Sequence, residues 1–273
     1  TCSSDQKLKV WDANDEDGKW VLNDTWKGHD CSILKVTWAH PEYGQAFASC
    51  SFDRMIKIWE EVENESKNSS RRWAERARLA ESRGTVQDIE FCPNNFGLKL
   101  ASCASDGVVR IYEALDVVNL SAWTLMVFRL DLQNKWQAFE VLSGHGDLVC
   151  DVAWAPNMGR SYQLIATASK DHHVRIFKLT DESARAVVQP GWQAAGSNAG
   201  KGKRRFRVDL VGDFADHGAE VWRVEWNVTG TILSSSGDDG KIRLWKATQL
   251  DEWRCLSVIS AEQRAGESEG IMR

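Results

Sequence analysis

One short pattern of apolar and polar positions returns five times along the chain. A run of small residues ends at an aspartate, a turn follows, and an alternating stretch closes on an aromatic residue six positions later. Asp5 leads to Trp11, Asp53 to Trp59, Asp106 to Tyr112, Asp171 to Phe177 and Asp239 to Trp245, with LKV, IKI, VRI, VRI and IRL between them. A two-residue period bounded by turn residues predicts β-strands. Upstream of the aspartates, AFASCS (46–51), KLASCAS (99–105), LIATAS (164–169) and ILSSSG (232–237) predict small-residue strands. Further upstream, ILKVTW (33–38), VQDIEF (86–91), VCDVAW (149–154) and VWRVEW (221–226) predict strands that end on an aromatic. Downstream, Trp20, Trp73, Trp123, Trp136 and Trp253 each open a further strand.

Four antiparallel strands per unit make a blade of a β-propeller. The aspartates lie 48, 53, 65 and 68 residues apart, longer than the roughly 40–45 of a WD repeat but explicable by insertions. The pattern breaks twice. The first unit begins in its second strand, at TCSSD, as if an opening strand were missing from the N-terminus. After Trp123, MVFRLD (126–131) and WQAFEVL (136–142) supply a third and fourth strand with no first or second before them. The expected architecture is therefore an all-β, six-bladed, open propeller over residues 1–260, with two blades incomplete. Residues 60–72 and 181–205 are expected as flexible loops, and 261–273 as a disordered tail.

Composition narrows the partner classes. The formal charge is −5, and a generic nucleic-acid or anionic-membrane binder carries a basic footprint instead. The basic cluster Lys201, Lys203, Arg204 and Arg205 is read as a solvated loop rather than a nucleic-acid site. No apolar run approaches the roughly 20 residues of a membrane span. The seven cysteines include Cys2, Cys50 and Cys103 in matching Ser/Ala contexts. They read as reduced, buried small hydrophobes, and so as an intracellular protein. No metal-like Cys/His spacing, GxSxG, P-loop or HExxH is present, so neither cofactor, metal nor catalysis is expected.

The candidate constellation is structural. Gly28-His29, Gly144-His145 and His217 precede the first strands of their units, as the Gly-His of a WD repeat does. The resemblance implies a tetrad in which this histidine bonds the turn aspartate and links to a strand serine and the aromatic. In the second unit these are assigned as His29, Ser51, Asp53 and Trp59. The fifth unit has Phe177 in place of Trp, and the sixth has Gly237 in place of the serine. Asp5, Asp106, Asp171 and Asp239 are the corresponding turn aspartates. A His–Asp pair repeated once per blade points to a lock on the turn rather than to catalysis.

Longer stretches carry a narrower resemblance. WAHPEYGQAFASCSFDRMIKIWEE (38–61) is similar to the second repeat of the SEC-thirteen coat protein and its homologues, the SEH nucleoporins. LASCASDGVVRIYEALDVVNLSAWTL (100–125), APNMGRSYQLIATASKDHHVRIF (155–177) and VWRVEWNVTGTILSSSGDDGKIRLWKA (221–247) resemble the SEH family in particular. That resemblance implies an open propeller into which an α-solenoid nucleoporin inserts its own strands as a seventh blade. It also implies membership of the Y-shaped coat of the nuclear pore, alongside other Y-complex subunits, and of the SEA/GATOR assembly that regulates TOR signalling at the vacuole or lysosome. The binding surface would be the gap between first and last blades, with Lys9, Trp11 and Trp20 on one side and Trp222, Trp245 and Trp253 on the other. A vesicle-coat propeller and a closed, peptide-reading adaptor are the alternatives.

Overall fold

The computed structural model describes residues 1–14, 18–62, 65, 69, 72–114, 120, 123–125, 128–130, 136–138, 144–181 and 206–260. Its strands form six antiparallel sheets in chain order. The first holds only β1 (Lys7–Ala13) and β2 (Trp20–Lys27). The second comprises β3 (Ile33–Trp38), β4 (Ala46–Ser51), β5 (Ile56–Glu61) and β6 (Trp73–Leu79). The third comprises β7 (Val86–Phe91), β8 (Lys99–Ala104), β9 (Val109–Ala114) and β10 (Trp123–Leu125). The fourth is the pair β11 (Phe128–Leu130) and β12 (Trp136–Ala138). The fifth runs β13 (Val149–Trp154), β14 (Tyr162–Ser169), β15 (Val174–Asp181) and β16 (Phe206–Phe214). The sixth runs β17 (Val221–Trp226), β18 (Ile232–Gly237), β19 (Lys241–Ala247) and β20 (Trp253–Ser260).

Each complete sheet is a sequential meander, the order that short antiparallel connections favour. Among the described residues the sheets number six, as expected, and two of them hold two strands each. In the first, Cys2 forms an isolated antiparallel bridge with Leu8 of β1. The fifth sheet's outer strand, β16, has no opening tryptophan and was not legible as one. Glu60 and Glu61, expected at the start of a loop, close β5, because their backbones pair with Ala74 and Trp73. Asp181 likewise belongs to β15. Most of the expected loop 60–72 and the rest of 181–205, with its basic cluster, lie outside the described residues, as does the tail 261–273.

Four of the junctions between sheets are made by apolar side chains from both partners. Leu8 packs with Ile33, Phe47 and Trp59 between the first and second sheets. Cys50, Ile56 and Ile58 meet Val86 and Ile89 between the second and third. Cys103 and Ile111 meet Val152, Ile165 and Phe177 across the third and fifth. Ala166 and Ile176 meet Val224 and Trp245 across the fifth and sixth. The small Ala, Ser and Cys of β4, β8 and β14 let adjacent sheets approach closely. Burial pushes the Cys50 and Cys103 thiols far up, so both act as inert small hydrophobes. Among the described residues no core cluster joins the sixth sheet to the first, so the ring is open there.

Every inner strand carries a β-bulge at the same place, between Ile33 and Lys35, Val86 and Asp88, Val149 and Asp151, and Val221 and Arg223. A bulge re-aims the side chain beside it. These four third-position residues meet one another across the junctions: Lys35 lies 2.6 Å from Asp88, and Arg223 lies 3.4 Å from Asp151.

Candidate functional site

The turn after each small-residue strand is built alike. One carboxylate oxygen of the aspartate accepts the backbone N–H two residues on: from Lys7 at 3.0 Å, Met55 at 2.9 Å, Val108 at 3.2 Å, His173 at 3.1 Å and Lys241 at 3.2 Å. This Asx-turn places the intervening residue at φ between 66° and 74°: Gln6, Arg54, Gly107, His172 and Gly240. Where a histidine precedes the inner strand, its Nδ1 bonds the aspartate: His29 to Asp53 at 2.8 Å, His145 to Asp171 and His217 to Asp239 at 2.9 Å. Gly28 precedes His29 for want of room, since a Cβ there would lie 2.5 Å from the Leu8 side chain.

The hydroxyl of the tetrad is Ser49, which corrects the assignment to Ser51. Ser49 Oγ lies 2.7 Å from His29 Nε2 and accepts the Trp59 indole N–H at 2.9 Å. Ser51 faces the same side one strand repeat nearer the turn. There its hydroxyl donates to the Ser32 carbonyl at 2.8 Å and accepts the Asp53 N–H at 3.2 Å. The same shift corrects the reading of the sixth sheet, where Gly237 replaces the turn serine only. Ser235 bonds both His217 and Trp245 at 2.8 Å, so that tetrad is whole. In the fifth, Thr167 meets His145 at 2.8 Å, and Phe177 has no N–H to add.

The lock has a further member, absent from the tetrad read in the sequence: a cation four residues after the aspartate. Arg110 reaches Asp106 at 2.6 Å, Arg175 reaches Asp171 at 2.8 Å, and Arg243 binds Asp239. In the second sheet Lys57 instead donates to the Gly28 carbonyl at 2.7 Å and pairs with Glu75 at 2.9 Å. The signal was in view, because the middle letter of LKV, IKI, VRI, VRI and IRL is always Lys or Arg.

Burial lowers the His29 and His145 pKa values, and the facing aspartates only partly offset it, so both rings are neutral at pH 7. Burial alone would raise the Asp53 carboxyl, but the Met55 amide and His29 outweigh it and hold it low. Arg175 and His145 do the same for Asp171, and Arg243 and His217 hold Asp239 at about 2. Each ring links an ionised aspartate to a hydroxyl, of Ser49, Thr167 or Ser235, that is at most 2% exposed, so the hydroxyl is out of a substrate's reach and the arrangement is one for rigidity. Among the described residues no cluster of three metal-ligating side chains occurs, and no helix is long and apolar enough to cross a membrane.

The open edge carries exposed apolar surface on both flanks. On the first sheet Trp20 is 69% exposed and Trp11 37%, with Val21 and Leu22 beside them. Lys9, Trp11 and Trp20 line a hollow of about 510 Å³ with Thr1, Val10 and Trp38. On the sixth sheet the exposed large apolar residues are Trp222, Ile242, Leu256, Val258 and Ile259. The three tryptophans assigned to that flank lie elsewhere, which corrects their placement. Trp245 is 1% exposed and stacks on Phe214 of the fifth sheet at 4.2 Å. Trp253 packs edge-on against Trp226 at 5.6 Å. Trp222 donates to Asp238 at 2.7 Å and lies under Lys170 of the fifth sheet at 4.5 Å. Alternation along a strand says which residues share a face; it does not say which neighbour that face meets.

Comparison with known proteins agrees with this architecture. The profile described as WD domain, G-beta repeat matches residues 20–60, 136–178 and 209–246. The chain is 40% identical to Nucleoporin SEH1-A of Xenopus laevis over 308 aligned positions, covering 96% of this chain and 82% of that protein. It is 39% identical to Nucleoporin seh1 of Schizosaccharomyces pombe, covering 97% and 90%. It is 36% identical to Nucleoporin SEH1 of Saccharomyces cerevisiae, covering 96% and 93%. The aligned stretch exceeds the 273 residues of the chain in each case, so the relatives carry residues inside it that have no counterpart here.

Proposed function

Because this chain belongs to the SEH1 family of nucleoporins, we propose that it is a non-catalytic scaffold subunit of the Y-shaped coat of the nuclear pore. An α-solenoid nucleoporin lays its own strands into the opening between the first and sixth sheets, and other Y-complex subunits attach through that pair. The observation that carries this reading is the paired apolar surface on the two flanking sheets. Trp11, Trp20 and Leu22 share the face of the first sheet turned away from the second, and Ile242 and Ile259 pair on the face of the sixth sheet turned away from the fifth, with Leu256 exposed on the same edge strand. Unclosed sheets invite strand addition, in which main-chain hydrogen bonds and alternate side-chain pockets bind the incoming segment. An apolar wedge of this kind suits an obligate complex. The same edge serves a second pool in the SEA/GATOR assembly at the vacuole or lysosome, by the family resemblance.

Co-expression tests the reading. The chain alone is expected to be poorly soluble, and to become soluble with an α-solenoid nucleoporin bearing a short β-rich N-terminal segment. Deleting that segment should abolish the complex. A stable lone monomer whose binding survives the deletion would refute strand insertion and favour the closed, peptide-reading adaptor.

A further inference from the structure

A second hollow, of about 500 Å³, opens at the opposite end of the inner strands from the His–Asp turns. Its walls are the last residues of β3, β7 and β13 and the turns that follow them. β7 packs beside both β3 and β13. A hollow of this size suits a small ligand or one side chain with part of its backbone. Trp38, 53% exposed, supplies an aromatic wall, and Phe91, Pro93 and Pro156 add apolar surface. The one acid in the lining is Glu90, which is half-buried. Its Oε2 accepts the Trp154 backbone N–H at 2.5 Å, while among the described residues Oε1 has no hydrogen-bond partner and is not sealed from solvent. The nearby cations are already engaged. Lys35 on β3 stands 2.6 Å from Asp88 on β7, and Arg223 on β17 stands 3.4 Å from Asp151 on β13. Burial, with Glu225 and Asp151, holds the Glu90 carboxyl up at about 8, against the Trp154 amide and Lys35, so it is largely protonated at pH 7.

We propose that this hollow receives a lysine side chain from a peptide segment of another polypeptide, its ammonium on Glu90 Oε1 and its methylene stem against Trp38. One open carboxylate oxygen suits a compact ammonium, whereas a guanidinium fork is best met by two. Aromatic and apolar walls suit the four-carbon stem, and the Trp38 ring attracts the charge at its end. A metal ion fits worse, because among the described residues no three ligating side chains gather and hard cations take several oxygens. The ammonium favours the ionised carboxylate, so Glu90 releases its proton to solvent as the lysine binds. Binding should therefore tighten as pH rises through 8. Trp38 also borders the hollow at the open edge, so the site is told apart by Glu90, which does not.

Three labelled peptides, acetyl-Gly-Gly-X-Gly-Gly-amide with X as lysine, arginine or norleucine, test it by fluorescence anisotropy against the full chain, held with its α-solenoid partner if it needs one. At pH 9 the lysine peptide is expected to bind about tenfold or more tightly than the norleucine peptide, which has the same stem without the charge. It should also bind more tightly than the arginine peptide. Glu90→Gln should remove the advantage over norleucine while norleucine binding stays unchanged, which checks that the variant is folded. From pH 9 to pH 6 the lysine affinity of the parent chain should fall about tenfold or more, and that of the Glu90→Gln chain should not. His40 and Cys92, the other titratable groups in the lining, are common to both chains and cancel from the comparison, as do Lys35, Asp88, Asp151, Arg223 and Glu225. Equal binding of the lysine and norleucine peptides, binding of none, tighter binding of arginine, or a lysine advantage that survives Glu90→Gln overturns the proposal. None of these readings depends on strand insertion at the opening, which co-expression tests separately.

Discussion

Ser49 touches both ends of its tetrad, with His29 Nε2 at 2.7 Å and the Trp59 indole at 2.9 Å. Ser49→Ala strands two buried polar groups, so it should cost about 1–3 kcal/mol; urea unfolding reads this, and a loss below about 0.5 kcal/mol would argue against the bridge. The turn groups also set the acid response. His29 and His145 have folded pKa values below the unfolded value near 6.5, so their share of stability is complete above that pH and is lost as pH falls through the lowered values. The depressed aspartates Asp53, Asp106, Asp171 and Asp239 lose theirs below about 4. The stability advantage of the chain over a His29→Gln/His145→Gln variant, a difference from which other titrating groups cancel, should therefore shrink as pH falls from 7 to 5, and melts of the chain should fall again below pH 4; an advantage that does not change between 7 and 5 would contradict buried neutral histidines. At this scale the aspartates were legible because each recurs at a fixed distance from an aromatic. Serine choice was not, since Ser49 and Ser51 lie two apart on one face, and strand period alone cannot separate them.

Single strands and turns carry their own expectations. The residue after each turn aspartate is left-handed, and Arg54 and His172 hold that conformation at φ of 69° and 73° without being glycine. Arg54→Gly and His172→Gly should each stabilise by about 0.5–1 kcal/mol by relieving the Cβ clash, measurable as a shift in urea midpoint at unchanged slope. Destabilisation would mean those side chains make contacts worth more than the strain. On β7, burial first, and then Glu225 and Asp151, push the Glu90 carboxyl up to about 8, against the Trp154 amide and Lys35. A raised folded pKa means that its contribution is complete below the unfolded value near 4.5 and is lost as pH rises through 8. Glu90→Gln should therefore flatten the decline in stability between those limits; an unchanged slope would mean that Glu90 is ionised in the fold. Nearly all strands could be located from alternation and from tryptophans at strand starts. β16 could not, because a long intervening segment and the lack of an opening tryptophan removed both cues. The shared inner-strand bulges left no trace in composition, since a bulge is a feature of register.

In the whole molecule, four full sheets and two half-sheets form an arc whose ends present apolar surface. Leu256→Asp together with Ile259→Asp, at residues 59% and 51% exposed, should leave the isolated fold intact. The same pair should weaken assembly with the α-solenoid partner by tenfold or more, read by co-purification or calorimetry. Unchanged assembly would move the interface elsewhere. The resemblance pointed to this opening, but the residues of its second flank emerged only once the tryptophans were seen to face inward. The locks have a kinetic consequence as well. His29 and Asp53, His145 and Asp171, and His217 and Asp239 are only 24, 26 and 22 residues apart, so each sheet closes its own loop without waiting for a distant strand. Short loops form quickly, and units that touch only neighbours can order one by one. An arc with two unsealed ends should then fray from its termini inward, and amide exchange should be slowest in β7, β8, β13 and β14 and fastest in β1, β2 and β20.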